Sequence, residues 1–195
     1  QWAYVHQNPR DGLRMSVSAG GNIGERLMNV GARHYGNIRQ DASRWMERVE
    51  LSTGRIDDRP ATFSGGMQQR ASIARALAFD ADLLLMDEPF GALDEIVSDH
   101  LNEQLLELWR KTGKTICFVT HSIPEAVYLS NKIVVMSPRP GRVTDIIGSD
   151  LPADRPLDIR ESKKFLEIAQ RVRNGLREGH SYESVSYTHL RAPEP

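Results

Sequence analysis

The sequence predicts an α/β protein built on a parallel sheet, and three observations carry that prediction. Leu83-Leu84-Leu85-Met86 is an unbroken apolar run ending in Asp87 and Glu88, the pattern of a central parallel strand buried on both faces. Thr115 to Thr120 (TICFVT) is a second buried run of strand length. Between them, Glu95 to Lys111 carries Ile96, Leu101, Leu105, Leu106 and Leu108 in an amphipathic helical pattern, completing a strand, helix, strand alternation.

The remaining elements follow in chain order. Trp2 to Val5 reads as a buried strand with no leader before it, and the chain starts on Gln1 instead of Met, so an amputated start is expected. Val17 to Gly36 is rich in Gly and Asn with a weak helical pattern. Asp41 then reads as the cap of a helix that sets Trp45, Met46, Val49 and Leu51 at helical spacing, giving a small helical subdomain over 17–63. Ser64-Gly65-Gly66 can cap a helix over Met67 to Ala78. Beyond TICFVT, a short helix from Pro124 to Leu129 precedes Ile133 to Met136 and Arg142 to Ile147, which read as a hairpin around Pro138-Arg139-Pro140-Gly141. A charged helix over 161–178 is expected to close near Gly179. Ser184 to Pro195 (SVSYTHLRAPEP) has no apolar period, resembles translated sequencing-adapter sequence and is left out of the fold.

Composition excludes several classes. At 195 residues and 39% hydrophobic content the chain can bury a substantial core, which rules out a disordered or collagen-like protein. Lys+Arg 25 against Asp+Glu 26 leaves a formal net charge of -1, which provides no global field for nucleic acid or anionic lipid. A lone cysteine, Cys117, excludes an internal disulfide and suits a reducing compartment. The apolar runs stop at four residues, far short of the roughly 20 needed to cross a bilayer, so a soluble chain is expected.

The chemistry is concentrated at strand ends. Asp87 and Glu88 bring two adjacent carboxylates to the edge of a parallel sheet, where α/β folds bind ligands. The first can hold a magnesium ion through water, and the second can orient or deprotonate an attacking water. Ser64, Gly65 and Gly66 at a helix start offer a hydroxyl and backbone N–H groups to an anion. Thr120-His121-Ser122 ends the next strand, and Pro89-Phe90-Gly91-Ala92-Leu93-Asp94 follows the acids.

FSGGMQQR, LLLMDEPFGALD and VTHS, in this order, resemble the ABC-type ATPase family, and the likeness covers residues 1–180. The fold it implies is an α/β RecA-like P-loop NTPase core with an inserted α-helical signature subdomain. The resulting division is 1–16 (first core strand and Q-loop), 17–78 (helical subdomain), 79–160 (core), 161–180 (last helix) and 181–195 (tail). The resemblance makes Asp87 the magnesium aspartate, Glu88 the catalytic base and His121 the switch histidine that contacts the γ-phosphate of ATP. Gln7 becomes the Q-loop glutamine that senses Mg2+ and the attacking water, and Asp94 the D-loop acid that communicates across a dimer. Ser64, Gly65, Gly66 and Gln68 form the signature that clasps ATP held by a second, head-to-tail ATPase subunit.

No G-x-x-x-x-G-K-[ST] phosphate cradle occurs among these residues. Gly113-Lys114-Thr115 has Leu108 where the first glycine should stand and leads into a strand, so it is a decoy. The expectation is a core truncated ahead of Gln7, with the P-loop absent and negligible ATP affinity for the chain alone. Residues 4–70 (YVHQNPRDGLRM, RIDDRP) resemble the ATP-binding subunit of the carbon–phosphorus lyase system for phosphonates. Residues 71–180 (DEPFGALD, VTHSIPEAVYLSNKIVVMSPRPGRV) resemble nitrate, sulfonate and taurine importer ATPases. The change falls at the shared FSGGMQQR, and all five lysines lie from Lys111 onward, so a chimeric reading frame is expected. The partners implied are membrane permease subunits at the cytoplasmic, inner face of a bacterial membrane, or a soluble lyase complex. A non-catalytic module that lends its signature face to a complete partner is the contrasting reading, and nucleic acid is not expected as a partner.

Overall fold

The computed structural model describes residues 1–29 and 35–187 and divides the chain into two compact units, Gln1–His121 and Ser122 onward. In the first unit, β1 (Trp2–Val5), β2 (Leu83–Asp87) and β3 (Thr115–Val119) form a parallel sheet in the order β1-β2-β3. Trp2 pairs with Leu83 and Leu83 with Thr115, so the strands run level and finish at one edge. Leu84 and Met86 are buried on the central strand, each worth about 2 kcal/mol of transfer free energy, while Leu83 and Leu85 are half-buried. β3 departs from the expected burial. Among the described residues β2 is its sole sheet neighbour, and Thr115, Cys117 and Val119 are exposed.

Helices α2 (Ala19–Asn29), α3 (Tyr35–Arg48) and α4 (Gly65–Ala78) pack on one another as a helical layer. α2 forms despite its glycines because close packing needs them. A Cβ on Gly20 would stand 2.5 Å from Ile56 Cγ1, and one on Gly24 would stand 2.5 Å from Ile38 Cγ2. Asp41 is not a cap. The helix starts at Tyr35, because buried Ile38 extends the apolar face of Ala42 and Met46 ahead of the expected start, and Asp41 pairs with Arg44 inside it. Residues 30–34, within the Gly-rich stretch, lie outside the described residues.

α1 (Pro9–Gly12) is a single turn capped by Asn8. α5 (Glu95–Thr112) has acid at its start, Arg110 and Lys111 in its last turn and left-handed Gly113 at its end, in accord with the helix dipole. The Gly-Lys-Thr stretch therefore closes a helix, and Lys114 is held by Asp80 and the Ala81 carbonyl.

In the second unit, α6 (Ile123–Leu129) is capped by Ser122, and β4 (Lys132–Met136) pairs with β5 (Val143–Gly148) as an antiparallel hairpin. α7 (Lys163–Tyr187) packs on the hairpin, with Ile133, Val135 and Ile147 buried. This helix continues past Gly179, where closure was expected, because the glycine seats it against the hairpin: a Cβ there would lie 3.1 Å from Ser137 Cα. Of the expected tail, residues 181–187 are helical and residues 188–195 lie outside the described residues. Arg155, buried, donates to the carbonyls of Pro152, Tyr128 and Ser130, and the Tyr128 hydroxyl donates back to the Arg155 carbonyl at 2.6 Å. Burial draws the Arg155 guanidinium below its usual pKa range, and the neighbouring Tyr128 opposes that shift.

Candidate functional site

The level register of the sheet assembles the site. Val5 pairs with Met86 and Asp87 with Val119, so the residues just beyond the strands, Gln7, Glu88 and His121, emerge at one edge. The Glu88 N–H donates to the Val119 carbonyl at 2.8 Å, carrying the pairing one residue further. Gln7 Nε2 donates to Glu88 Oε2 at 2.9 Å, and His121 Nδ1 lies 3.3 Å from the same oxygen. An amide and an imidazole thus converge on one carboxylate.

The backbone under that carboxylate is strained. Glu88 has φ 44, the left-handed region a non-glycine residue rarely adopts, at a cost of about 1 kcal/mol or more. The Gly91 N–H donates to the Glu88 carbonyl at 3.2 Å and closes the turn. A Cβ on Gly91 would reach 3.8 Å from both Glu88 Oε2 and His121 Cε1, so this glycine lines the site. The side chain of His121 is 73% exposed against 27% for Glu88, so the imidazole can reach a second group from solvent while the carboxylate is partly enclosed.

Asp87 is oriented by a residue that sequence reasoning missed. The Tyr4 hydroxyl donates to Asp87 Oδ2 at 3.1 Å, and the Tyr4 ring meets His6 edge-on. Partial burial, followed by the hydrogen bond to Asp87 and its charge, holds the Tyr4 phenol above its usual pKa range. No sequence signal marks this contact, since it depends on the register of strands far apart in the chain. Among the described residues no three or more His, Cys, Asp or Glu gather as a metal cage. An oriented aspartate without a cage fits Mg2+, which is commonly held by one or two carboxylates together with substrate phosphates.

The signature residues stand at a separate helix start. Ser64 Oγ accepts from the Met67 N–H at 3.3 Å as the cap of α4. Nothing lies within 4 Å of a Cβ built on Gly65, and one on Gly66 would face Leu93 and the Ala92 carbonyl. Gln68 turns inward: it is buried and donates to the Pro60 and Phe63 carbonyls at 3.1 Å, bracing the loop that leads into the helix. Asp94 caps α5, its Oδ1 accepting from the Val97 N–H at 3.0 Å. Chemically, the edge offers one carboxylate able to take a proton from water, with neighbours that fix its direction, beside a second able to face a cation.

Residues 1–91 match the ABC transporter family. The chain is 49% identical over 156 residues to the phosphonates utilization ATP-binding protein PhnK of Escherichia coli K12, covering 80% of this chain and 61% of that protein. It is 42% identical over 171 residues to an ATP-binding protein of Brucella melitensis biotype 1, covering 85% of this chain and 72% of that one. It is 45% identical over 135 residues to the aliphatic sulfonates import ATP-binding protein SsuB of Bacillus cereus, covering 69% and 52%. Among solved structures, the ATP-binding cassette MJ0796, a dimer in a post-hydrolysis state bound to ADP and Pi, aligns with TM-score 0.69 at 29% identity over 76% of this chain and 62% of that one.

Proposed function

We propose, from the premise that the chain belongs to the ABC transporter ATP-binding family, that it serves as a subunit of a head-to-tail dimeric ATPase in which Glu88 is the general base. The observation that carries this reading is the convergence of Gln7 Nε2 and His121 Nδ1 on Glu88 Oε2. Asp87, steadied by Tyr4, would hold Mg2+, which would supply positive charge against the phosphates. Gln7 directs one oxygen of Glu88, leaving that carboxylate to accept the proton of an attacking water. The exposed His121 contacts the γ-phosphate. Ser64, Gly65 and Gly66 present N–H groups to the γ-phosphate of ATP held by the partner, and Asp94 relays the state of one site to the other.

Without a glycine-rich cradle among its 195 residues, the chain on its own has negligible affinity for ATP. Its Ser64-Gly65-Gly66 clasp acts on nucleotide held by a complete partner, whereas the roles of Asp87, Glu88 and His121 apply in an assembled ATPase where this sequence is joined to a phosphate cradle. Isothermal calorimetry with Mg-ATP tests the first statement: no heat of binding is expected, and micromolar affinity would overturn it. Altered hydrolysis when the chain is added to a complete ABC ATPase tests the second, and an unchanged rate would remove the clasp.

The work done by dimer closure is importer-type transport through a membrane permease of the nitrate, sulfonate and taurine class, at the cytoplasmic face of the membrane. Similarity to SsuB and the DEPFGALD stretch support this reading. Among the described residues no helix is long and apolar enough to cross a membrane, so the permease supplies the attachment. A second reading, a subunit of a phosphonate-processing complex, is favoured by the 49% identity to PhnK. Complementation separates them, since growth restored on a sulfonate supports the first and growth restored on a phosphonate supports the second. A chimeric frame joined at Phe63 to Arg70 is tested by sequencing one long DNA molecule across that stretch. Two genes that meet only there would establish it, and an uninterrupted gene would remove it.

A further inference from the structure

Gln69 is 1% exposed, yet it keeps a polar side chain inside the helical layer. Its Nε2 donates to the His6 carbonyl at 3.3 Å, while its Oε1 has no hydrogen-bond partner. An apolar side chain of the same length would fill the space without that unmet acceptor, so packing alone does not account for the amide. The carbonyl it holds belongs to the residue immediately before Gln7. Pairing of β1 with β2 ends at Val5 and Met86, so His6 lies one residue beyond the ladder and α4 supplies the bond that the sheet does not.

The segment is held on other sides as well. A Cβ on Gly12 would lie 3.1 Å from His6 Cδ2 and 3.4 Å from Ser72 Oγ, so the end of α1 is pressed against both the His6 ring and α4. Further on, the fully buried Asn22 of α2 accepts from the Arg14 N–H and donates to the carbonyls of Arg14, Val17 and Ser18. Two buried carboxamides of the helical layer thus fix the chain on either side of Gln7. Only Gln69 acts on the peptide next to it.

We propose that Gln69 is a positioning residue for Gln7: through the His6 carbonyl it sets where the Gln7 amide stands against Glu88, and so couples the placement of α4 to the candidate base. The proposal rests on the reading of Glu88 as the base. Its structural content is that α4, whose N-terminus is the Ser64-Gly65-Gly66 turn, touches the Gln7 segment through this bond. A shift of α4 against the sheet reaches Glu88 across a single peptide.

The test uses the full 195-residue chain labelled with 15N. The Gln7 side-chain amide signal is assigned by its loss in Gln7→Ala. Gln69→Met keeps length and removes both the donor and the unmet acceptor. It is expected to displace the Gln7 amide signal beyond its linewidth and to make that signal insensitive to Glu88→Gln. Gln68→Met, which removes the other buried amide of the same helix turn, is expected to leave the Gln7 signal in place. A Gln7 signal unmoved by Gln69→Met overturns the proposal, and so does one displaced equally by Gln68→Met. If Gln69→Met fails to fold, the wild-type chain decides: Gln69 side-chain amide protons protected from exchange and close to His6 support the bond, and unprotected ones overturn it. In the assembled ATPase, Gln69→Met should lower kcat roughly 2- to 30-fold with KM for ATP unchanged. If the Gln7 signal moves but Glu88→Gln leaves hydrolysis intact, the base assignment fails while the positioning role stands. If Glu88→Gln abolishes hydrolysis and the Gln7 signal stays still, only the positioning role fails.

Discussion

Two polar clusters of this chain treat charge in opposite ways. At Arg155 a buried guanidinium spends its donors on the carbonyls of Pro152, Tyr128 and Ser130, and the Tyr128 hydroxyl closes the knot. At Glu88 a partly exposed carboxylate gathers an amide and an imidazole from two other segments, above a left-handed backbone. The knot is satisfied and buried, which is the signature of structure. The strand-end cluster is assembled from distant segments, strained and open, which is what a reacting group requires. Polarity inside a fold is therefore informative only together with what satisfies it.

The contrast can be broken from either side. Glu88→Gln keeps an acceptor for Gln7 but removes the base, and it should reduce kcat of the assembled ATPase by about 10²–10⁴ while leaving the urea midpoint of the chain unchanged. Arg155→Leu should do the reverse. It removes the guanidinium donor from three carbonyls and should lower unfolding free energy by about 3 kcal/mol, measured by urea denaturation, without moving the Gln7 amide signal. Tyr4→Phe frees Asp87 and should raise the Mg2+ concentration needed for half-maximal hydrolysis roughly 10- to 100-fold, at nearly constant stability. Tyr128→Phe removes one bond of the knot and should cost about 1 kcal/mol by the same denaturation.

The smallest effect concerns pH. The charged hydrogen bond from Arg171 holds the Asp145 carboxyl below its ordinary range, with burial opposing. A depressed carboxyl contributes stability that is present above the ordinary aspartate range and is lost as pH falls through the lowered value. Thermal melts of Asp145→Asn should therefore change less on acidification than those of the parent chain, and identical slopes would show that the pair contributes nothing.

What the sequence revealed follows the range of the forces involved. β2 was legible because an apolar run ending in acid is a local pattern, and the hairpin because Pro and Gly punctuate it. α2 was only weakly legible because its glycines are set by Ile38 and Ile56, residues outside the window that a periodicity search inspects. Asp41 read as a cap since acids favour helix starts, but buried Ile38 had already committed the preceding turn to helix. TICFVT read as buried because composition registers apolarity and not the number of neighbouring strands. Gln7, Asp87, Glu88 and His121 could be singled out by motif. The Tyr4 hydroxyl on Asp87 and the Gln69 amide on His6 could not, since both bonds join residues more than 60 positions apart.

The left-handed backbone at Glu88 has a consequence for how this position responds to selection. Glycine adopts that conformation freely, and asparagine does so at little cost, so Glu88→Gly or Glu88→Asn relieves strain that glutamate has to bear. A library screened for heat resistance alone would drift toward those residues and accumulate variants that are sturdier and inert. Retention of glutamate there under such a screen would reveal a second pressure, exerted by whatever the chain does when it works.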